Sequence, residues 1–197
     1  MPKYDQMKQI RDELLAFTAS PLYEYRTANT YFPVVGEGSH DARIMFVGEA
    51  PGKNEALQAR PFCGAAGKFL DVLIASIGLK REDVYITNIV KDRPPENRDP
   101  TPEEIALYAP FLDRQIDIIQ PAVIATLGRH SMGYVMKHLG LDLELEPVSR
   151  IHGREFKANA SYGPVSVVTL YHPAAALYNG GMRGTLKQDF EILKKYV

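Results

Sequence analysis

Four polar residues each stand directly after a short apolar run: Glu49 after IMFVG, Asn88 after VYIT, Arg129 after VIATLG and His172 after VVTLY. Such runs are too short for independent helices and too apolar for exposed loops, so they read as buried strands. Open α/β sheets bind ligands beyond the carboxyl ends of their strands, where helix starts and free amides face one crevice. Residues far apart in sequence are therefore expected to converge there.

Each of these residues suggests a particular chemistry beside a plainer use. Asn88 offers a donor and an acceptor on one fixed amide, which is what reading a pyrimidine edge such as N3–H and O4 requires; otherwise it caps a turn. His172 precedes Pro173 and is held extended, so its ring is aimed reproducibly, for a ligand or for the core. Glu49 either orients water and stabilises positive charge or is a solvated loop residue. Phe62, behind Arg60-Pro61, is a stacking platform or a core residue. Gly48 and Gly52 allow backbone conformations that a Cβ forbids, and Pro51 fixes a dihedral between them, which predicts a rigid loop.

Two other chemistries fail on spacing. Gly48 to Lys53 has three residues between its glycines instead of the four of a phosphate loop, and Asn54 stands where Ser or Thr would hold magnesium. His40, His130, His138, His152 and His172 show no zinc-ligand pairing, so no metal site is expected. The lone cysteine, Cys63, excludes an intramolecular disulfide and suits a reducing compartment. A net charge of -1 announces no bulk attraction for nucleic acid, leaving only a local patch. No apolar run reaches membrane-spanning length, and the start lacks a signal-peptide core, so a soluble protein of the cytoplasm is expected.

The elements that must position these residues follow in order. Tyr4–Phe17 is predicted as an amphipathic helix, and Leu22–His40 as an irregular, aromatic-rich segment laid over the body. A helix runs from about Ala66 to Gly78. KDRPPENRDPTP, Lys91 to Pro102, carries four prolines and predicts a long, stiff excursion. Thr101 and Glu104 form a capping box that opens a helix to Gln120. Another helix follows Gly128, and an acidic connector leads to Arg150–Phe156 and Val165–Leu170, a hairpin or a fourth strand with an antiparallel lead-in. Leu186–Tyr196 is the last helix. Strands alternating with helices predict an α/β fold, a mostly parallel four-stranded sheet covered on both faces, in one domain over 1–197 with residues 1–40 packed on the core.

GEAPG at 48–52, ARPFCGAAG at 59–67, VYITNIVKDRPPENRDPTPEE at 84–104 and YHPAAAL at 171–177 together resemble the family 4 uracil-DNA glycosylases. The likeness runs from about Pro21 to the C-terminus, and four ordered motifs at these separations are highly specific. The resemblance implies a three-layer α/β/α sandwich, the uracil-DNA glycosylase fold, and hydrolysis of the bond between uracil and deoxyribose in DNA, the first step of base excision repair. It implies that Glu49 is the acidic catalytic residue, that Phe62 stacks on uracil and that Asn88 reads its polar edge. It further implies that Glu55 sits near uracil C5 and helps keep thymine out, and that His172 faces uracil O2. Amides around Ala50 would assist His172 as negative charge develops on the base.

For a DNA partner, single- or double-stranded, the cations in or beside the edge loops are candidate phosphate contacts: Lys53, Arg60, Lys68, Lys91, Arg93, Arg98 and Arg129. The resemblance places LYNGGMR, Leu177 to Arg183, at the minor groove, with Leu177 or Met182 as a wedge and Arg183 on phosphate. The chain is expected to act as a monomer. Alternative readings are a shifted base preference such as hypoxanthine, a weak DNA-lesion binder, or a small-molecule nucleoside hydrolase.

The family pattern is broken at one place. Its members generally hold a [4Fe-4S] cluster on four cysteines, and the corresponding positions here are Phe17, Ser20, Asp92 and Tyr108. Without thiolates no cluster is expected. Phe17 and Tyr108 are expected to replace it with apolar contact, and Ser20, Asp92 and the Tyr108 hydroxyl with hydrogen bonds.

Overall fold

A computed structural model describes residues 1–197. The chain opens with α1 (Lys3–Leu15) and a short α2 (Tyr23–Ala28), passes an edge strand β1 (Glu37–Gly38) and enters the sheet at β2 (Ile44–Gly48). Helices α3 (Lys53–Gln58) and α4 (Ala65–Ser76) separate β2 from β3 (Tyr85–Asn88). Then come α5 (Pro102–Ile119), β4 (Val123–Leu127), α6 (Arg129–His138), a short α7 (Val148–Ile151) and the hairpin of β5 (Arg154–Ala160) and β6 (Gly163–Leu170). α8 (Ala175–Tyr178) and α9 (Met182–Phe190) follow, with 3-10 turns to Tyr196.

The strand order is β1-β3-β2-β4-β6-β5. The four inner strands are the parallel set expected from the sequence. The sheet nevertheless has six strands, because an antiparallel strand is added at each edge. β1 arises inside the segment expected to be irregular. Two residues carry no periodicity, and Gly36 and Gly38 hold positive φ on either side of Glu37. β5 is the antiparallel lead-in, hydrogen-bonded to β6 along its full length.

Alternation along β2 builds the layers. Met45 and Val47 join α1, α5 and α6 in one apolar core, while Ile44 and Phe46 join α4 and α9 in another. Burial on both faces is why the strands read as unbroken apolar runs. The capping box forms as expected, with Thr101 Oγ1 accepting from Glu104 N at 3.2 Å and Glu104 Oε2 accepting from Thr101 N at 2.8 Å.

Several local expectations need correction. α3 was not expected, and the last α-helix spans Met182–Phe190 instead of 186–196, so the glycine-containing turn after the histidine is only Asn179–Gly181 between α8 and α9. The proline stretch does not leave the body at once: Lys91 and Asp92 are fully buried and Arg93 nearly so, and the backbone surfaces at Glu96 and Asn97, both with φ near +55°. Gly48 and Gly52 adopt no positive φ. What they supply is room, as the site makes plain.

Candidate active site

Beyond the carboxyl ends of β2, β3 and β6 lies a cavity of about 400 Å³, within the range of small-ligand sites. Glu49, Ala50, Glu55, Phe62, Asn88 and His172 all line it. Of the four residues expected to converge, Glu49, Asn88 and His172 share this cavity. Arg129 stands one layer out.

The close approach of the parts depends on Gly48. A Cβ there would lie 2.4 Å from Asn88 Oδ1 and 2.6 Å from Phe62 Cζ, so only glycine lets the amide and the ring meet over the end of β2. Asn88 is buried, and its Oδ1 has no hydrogen-bond partner in the protein. An unpaired buried acceptor costs on the order of 1–3 kcal/mol, and the fold bears that cost at a residue lining the cavity.

Phe62 sits at φ +49°, a left-handed conformation that a phenylalanine does not adopt without support. The support comes from three sides. Glu55 Oε1 accepts from Cys63 N at 2.9 Å and Gly64 N at 2.7 Å, capping the start of α4. Arg81 donates to the carbonyls of Pro61 and Phe62. Gly67 lets the Phe62 carbonyl approach α4 where a Cβ would collide with it. The ring is thereby held 5.5 Å from the His172 ring, inclined by 30°.

His172 Nδ1 accepts a hydrogen bond from Ala174 N at 3.1 Å. The neutral ring therefore carries its proton on Nε2. Burial pulls the His172 pKa down to about 4, against a smaller opposing pull from Glu55. The group facing the cavity is thus a neutral imidazole with one N–H to donate.

At the other end of the cavity Glu49 lies 3.7 Å from His130 Nε2, which is 3.3 Å from Asp99. Arg129 pairs with Asp99 in turn. Burial raises the Glu49 pKa, Asp99 adds to this, and His130 and Arg129 oppose it. Asp99 comes from the proline stretch, so that stretch closes the Glu49 side of the site.

The expected phosphate contacts divide into two groups. Lys53 and Lys68 are exposed and make no ion pair, as does Arg183, which lies over the Phe69 ring. Arg60 is exposed but forked onto Glu37, Arg98 is forked onto Glu104, and Arg129 holds Asp99. Arg93 points inward, donating to Asn97 Oδ1 and to the Tyr31 and Tyr25 hydroxyls. Lys91 has no surface at all. On the rim, Leu177 is 44% exposed, and Tyr178, which the sequence reading passed over, is 91% exposed beside it. Arg81, Asn97, Asp99, His130 and Lys187 were also missed. None of them follows a strand directly, and only the fold brings them to the site.

The four positions of the family's cluster cysteines do come together. Tyr108 Oη lies 2.7 Å from Ser20 Oγ and 2.5 Å from Asp92 Oδ2, and the Phe17 and Tyr108 rings pack edge to face at 5.5 Å. Arg26 completes the group by pairing with Asp92 at 3.0 Å and donating to the carbonyls of Leu14 and Leu15. Side chains already hydrogen-bonded to one another, with no thiolate among them, do not fit an iron–sulfur cluster. Cys63 lies instead in the Phe62 loop, where its backbone N–H meets Glu55.

Residues 35–194 of this three-layer α/β/α fold match the uracil DNA glycosylase superfamily. The chain is 44% identical to the type-4 uracil-DNA glycosylase of Sulfurisphaera tokodaii over 97% of its own length and 84% of that protein. It is 46% identical to that of Archaeoglobus fulgidus over 85% of its length and 82% of the relative. The chain belongs to the type-4 uracil-DNA glycosylase family.

Proposed function

We propose that this chain hydrolyses the N-glycosidic bond of uracil in DNA and so opens base excision repair. The observation that carries the reading is Asn88, a cavity-lining residue whose Oδ1 is buried without a hydrogen-bond partner. Uracil presents an N3–H donor to such an acceptor, whereas the N3 of cytosine is itself an acceptor and, against the same orientation of the amide, leaves Oδ1 unsatisfied.

The base enters the cavity by leaving the stack, or from a single strand, and Phe62 supports its face. As the C1'–N1 bond breaks, its electron pair departs with uracil and positive charge grows on the sugar. His172 Nε2–H donates to O2, where part of the negative charge collects, and Ala50 N–H assists. Glu49 faces the sugar side, favouring the cationic carbon and orienting the water that adds to C1'. Glu55, by fixing the Phe62 loop, sets the wall near C5 that excludes a thymine methyl.

For the strand, the cations without an acidic partner are the plausible contacts: Lys53, Lys68 and Arg183, joined by Lys187, which lines a groove with Lys68, Phe69 and Arg183 beside the cavity. Leu177 and Tyr178 on the rim are the wedge. The enzyme acts as a monomer of one domain on single- or double-stranded DNA in the cytoplasm. No helix is long and apolar enough to cross a membrane.

The test is excision from oligonucleotides carrying U:G, U:A, single-stranded U, inosine or T:G, read by alkaline cleavage. Release of uracil alone supports the reading. Release of hypoxanthine in preference, or of no base, overturns it.

A further inference from the structure

Lys91 is fully buried three residues beyond Asn88. Its Nζ lies 2.6 Å from the Asn88 carbonyl, 2.6 Å from Gln115 Oε1 and 2.7 Å from Thr87 Oγ1, with the Val35 carbonyl at 3.4 Å. Every partner is a neutral oxygen.

The ring of oxygens suits an ammonium. The Thr87 hydroxyl has one proton, for which the Val35 carbonyl at 2.7 Å and Gln115 Oε1 at 3.3 Å are the acceptors. Gln115 turns its amide N–H groups toward Val35 O and Tyr85 Oη, so its oxygen faces the lysine. With the Thr87 proton given to either of its acceptors, three acceptors surround Nζ within 2.7 Å, the number that the three N–H groups of an ammonium serve. A neutral amine fits only with the Thr87 hydroxyl turned to donate to it, giving up the Val35 carbonyl. Burial pushes the Lys91 pKa well below its ordinary value, against a smaller pull from Asp113, and no carboxylate touches it. As an ammonium, Lys91 would be a positive charge held in a low-dielectric interior without a contacting counter-ion, where its field is weakly screened.

We propose that Lys91 is a positioning and electrostatic residue of the glycosylase reaction. As an ammonium bonded to the Asn88 backbone carbonyl it holds the main chain that carries the base-reading amide, and its field favours the uracil anion as the glycosidic electron pair leaves C1' for N1. This rests on the glycosylase reading given above. It also explains why a cation is kept at a site with no access to solvent or DNA phosphate.

A role in leaving-group stabilisation differs from a purely structural one in its dependence on the leaving group. 5-Fluorouracil is a more acidic base than uracil and needs less help to depart. Single-turnover excision of both bases from single-stranded oligonucleotides is measured for the wild type, K91M and K91Q, with folding checked by circular dichroism. Both variants are expected to slow uracil release about a hundredfold and 5-fluorouracil release about tenfold less severely. Equal slowing of the two bases, or unchanged uracil release, overturns the proposal. Wild-type protein that releases neither base instead sinks the underlying glycosylase reading. Should neither variant fold, the wild type decides by nitrogen-15 NMR of the Lys91 side chain at neutral pH. A quartet from three attached protons supports the ammonium, and the triplet of an amine overturns it.

Discussion

The Ala174 amide and the His172 ring are joined by a 3.1 Å hydrogen bond that leaves the imidazole one free N–H, on Nε2. With its pKa lowered from 6.5 to about 4 by burial, this ring stays neutral through the physiological range. Below pH 6.5 the unfolded chain takes up a proton that the folded chain refuses until about pH 4, so stability falls as pH drops through that window. Between pH 7.5 and pH 5 the contribution of this one group is about 2 kcal/mol. Denaturant melts at the two pH values should show a larger loss for the wild type than for His172→Gln, and excision by the wild type should show no loss from His172 protonation above pH 5.

Replacing Asn88 is expected to separate activity from stability. Asn88→Ala removes the amide that reads the base, and uracil excision should fall about a hundredfold or more. The same change removes an acceptor that is buried without a partner, relieving a penalty on the order of 1 kcal/mol. Thermal melting should therefore hold steady or rise. A matched loss of melting temperature and activity would mean that Asn88 is a structural cap.

The two groups of cations are expected to behave differently. Lys68, Arg183 and Lys187 line one groove and make no ion pair, so changing all three to alanine should flatten the dependence of log K on log salt by about 2 for single-stranded DNA. Arg93→Ala should leave that slope alone and lower the melting temperature, because Arg93 ties Asn97 to Tyr25 and Tyr31. Fluorescence anisotropy across a salt series distinguishes the two effects.

The buried group around Asp92 is expected to hold the proline stretch in place. Asp92→Ala strands the Arg26 guanidinium in the interior, a loss of about 3–5 kcal/mol. Tyr108→Phe loses the hydroxyl contacts with Ser20 and Asp92 and should cost about 1–2 kcal/mol. Because Asp99 lies further along the same stretch, Asp92→Asn should also perturb excision. The purified wild type should be colourless and free of iron; a brown protein would contradict the assignment.

The parallel core and the cavity's main walls were legible because each strand is an unbroken apolar run ending in a polar residue. Glu49, Asn88 and His172 follow from that rule alone. Lys91 and Arg93 were misjudged for a physical reason: a proline-rich, charged string normally lies in solvent, and nothing local announces that Gln115, Thr87 and Val35 wait to receive an ammonium. Arg81 and Asp99 were missed because they act from turns, one clamping carbonyls and the other meeting His130 across the crevice. The two glycines of the first loop were noticed for their backbone freedom, while Gly48 matters for the space that it leaves.

The linkage of Arg26, Ser20, Asp92 and Tyr108 is made wholly of the polypeptide's own atoms. A domain fastened in this way needs no inorganic sulfide and no delivery machinery to mature, and oxygen has nothing there to corrode. Such a repair enzyme would keep this fastening through iron starvation or peroxide exposure.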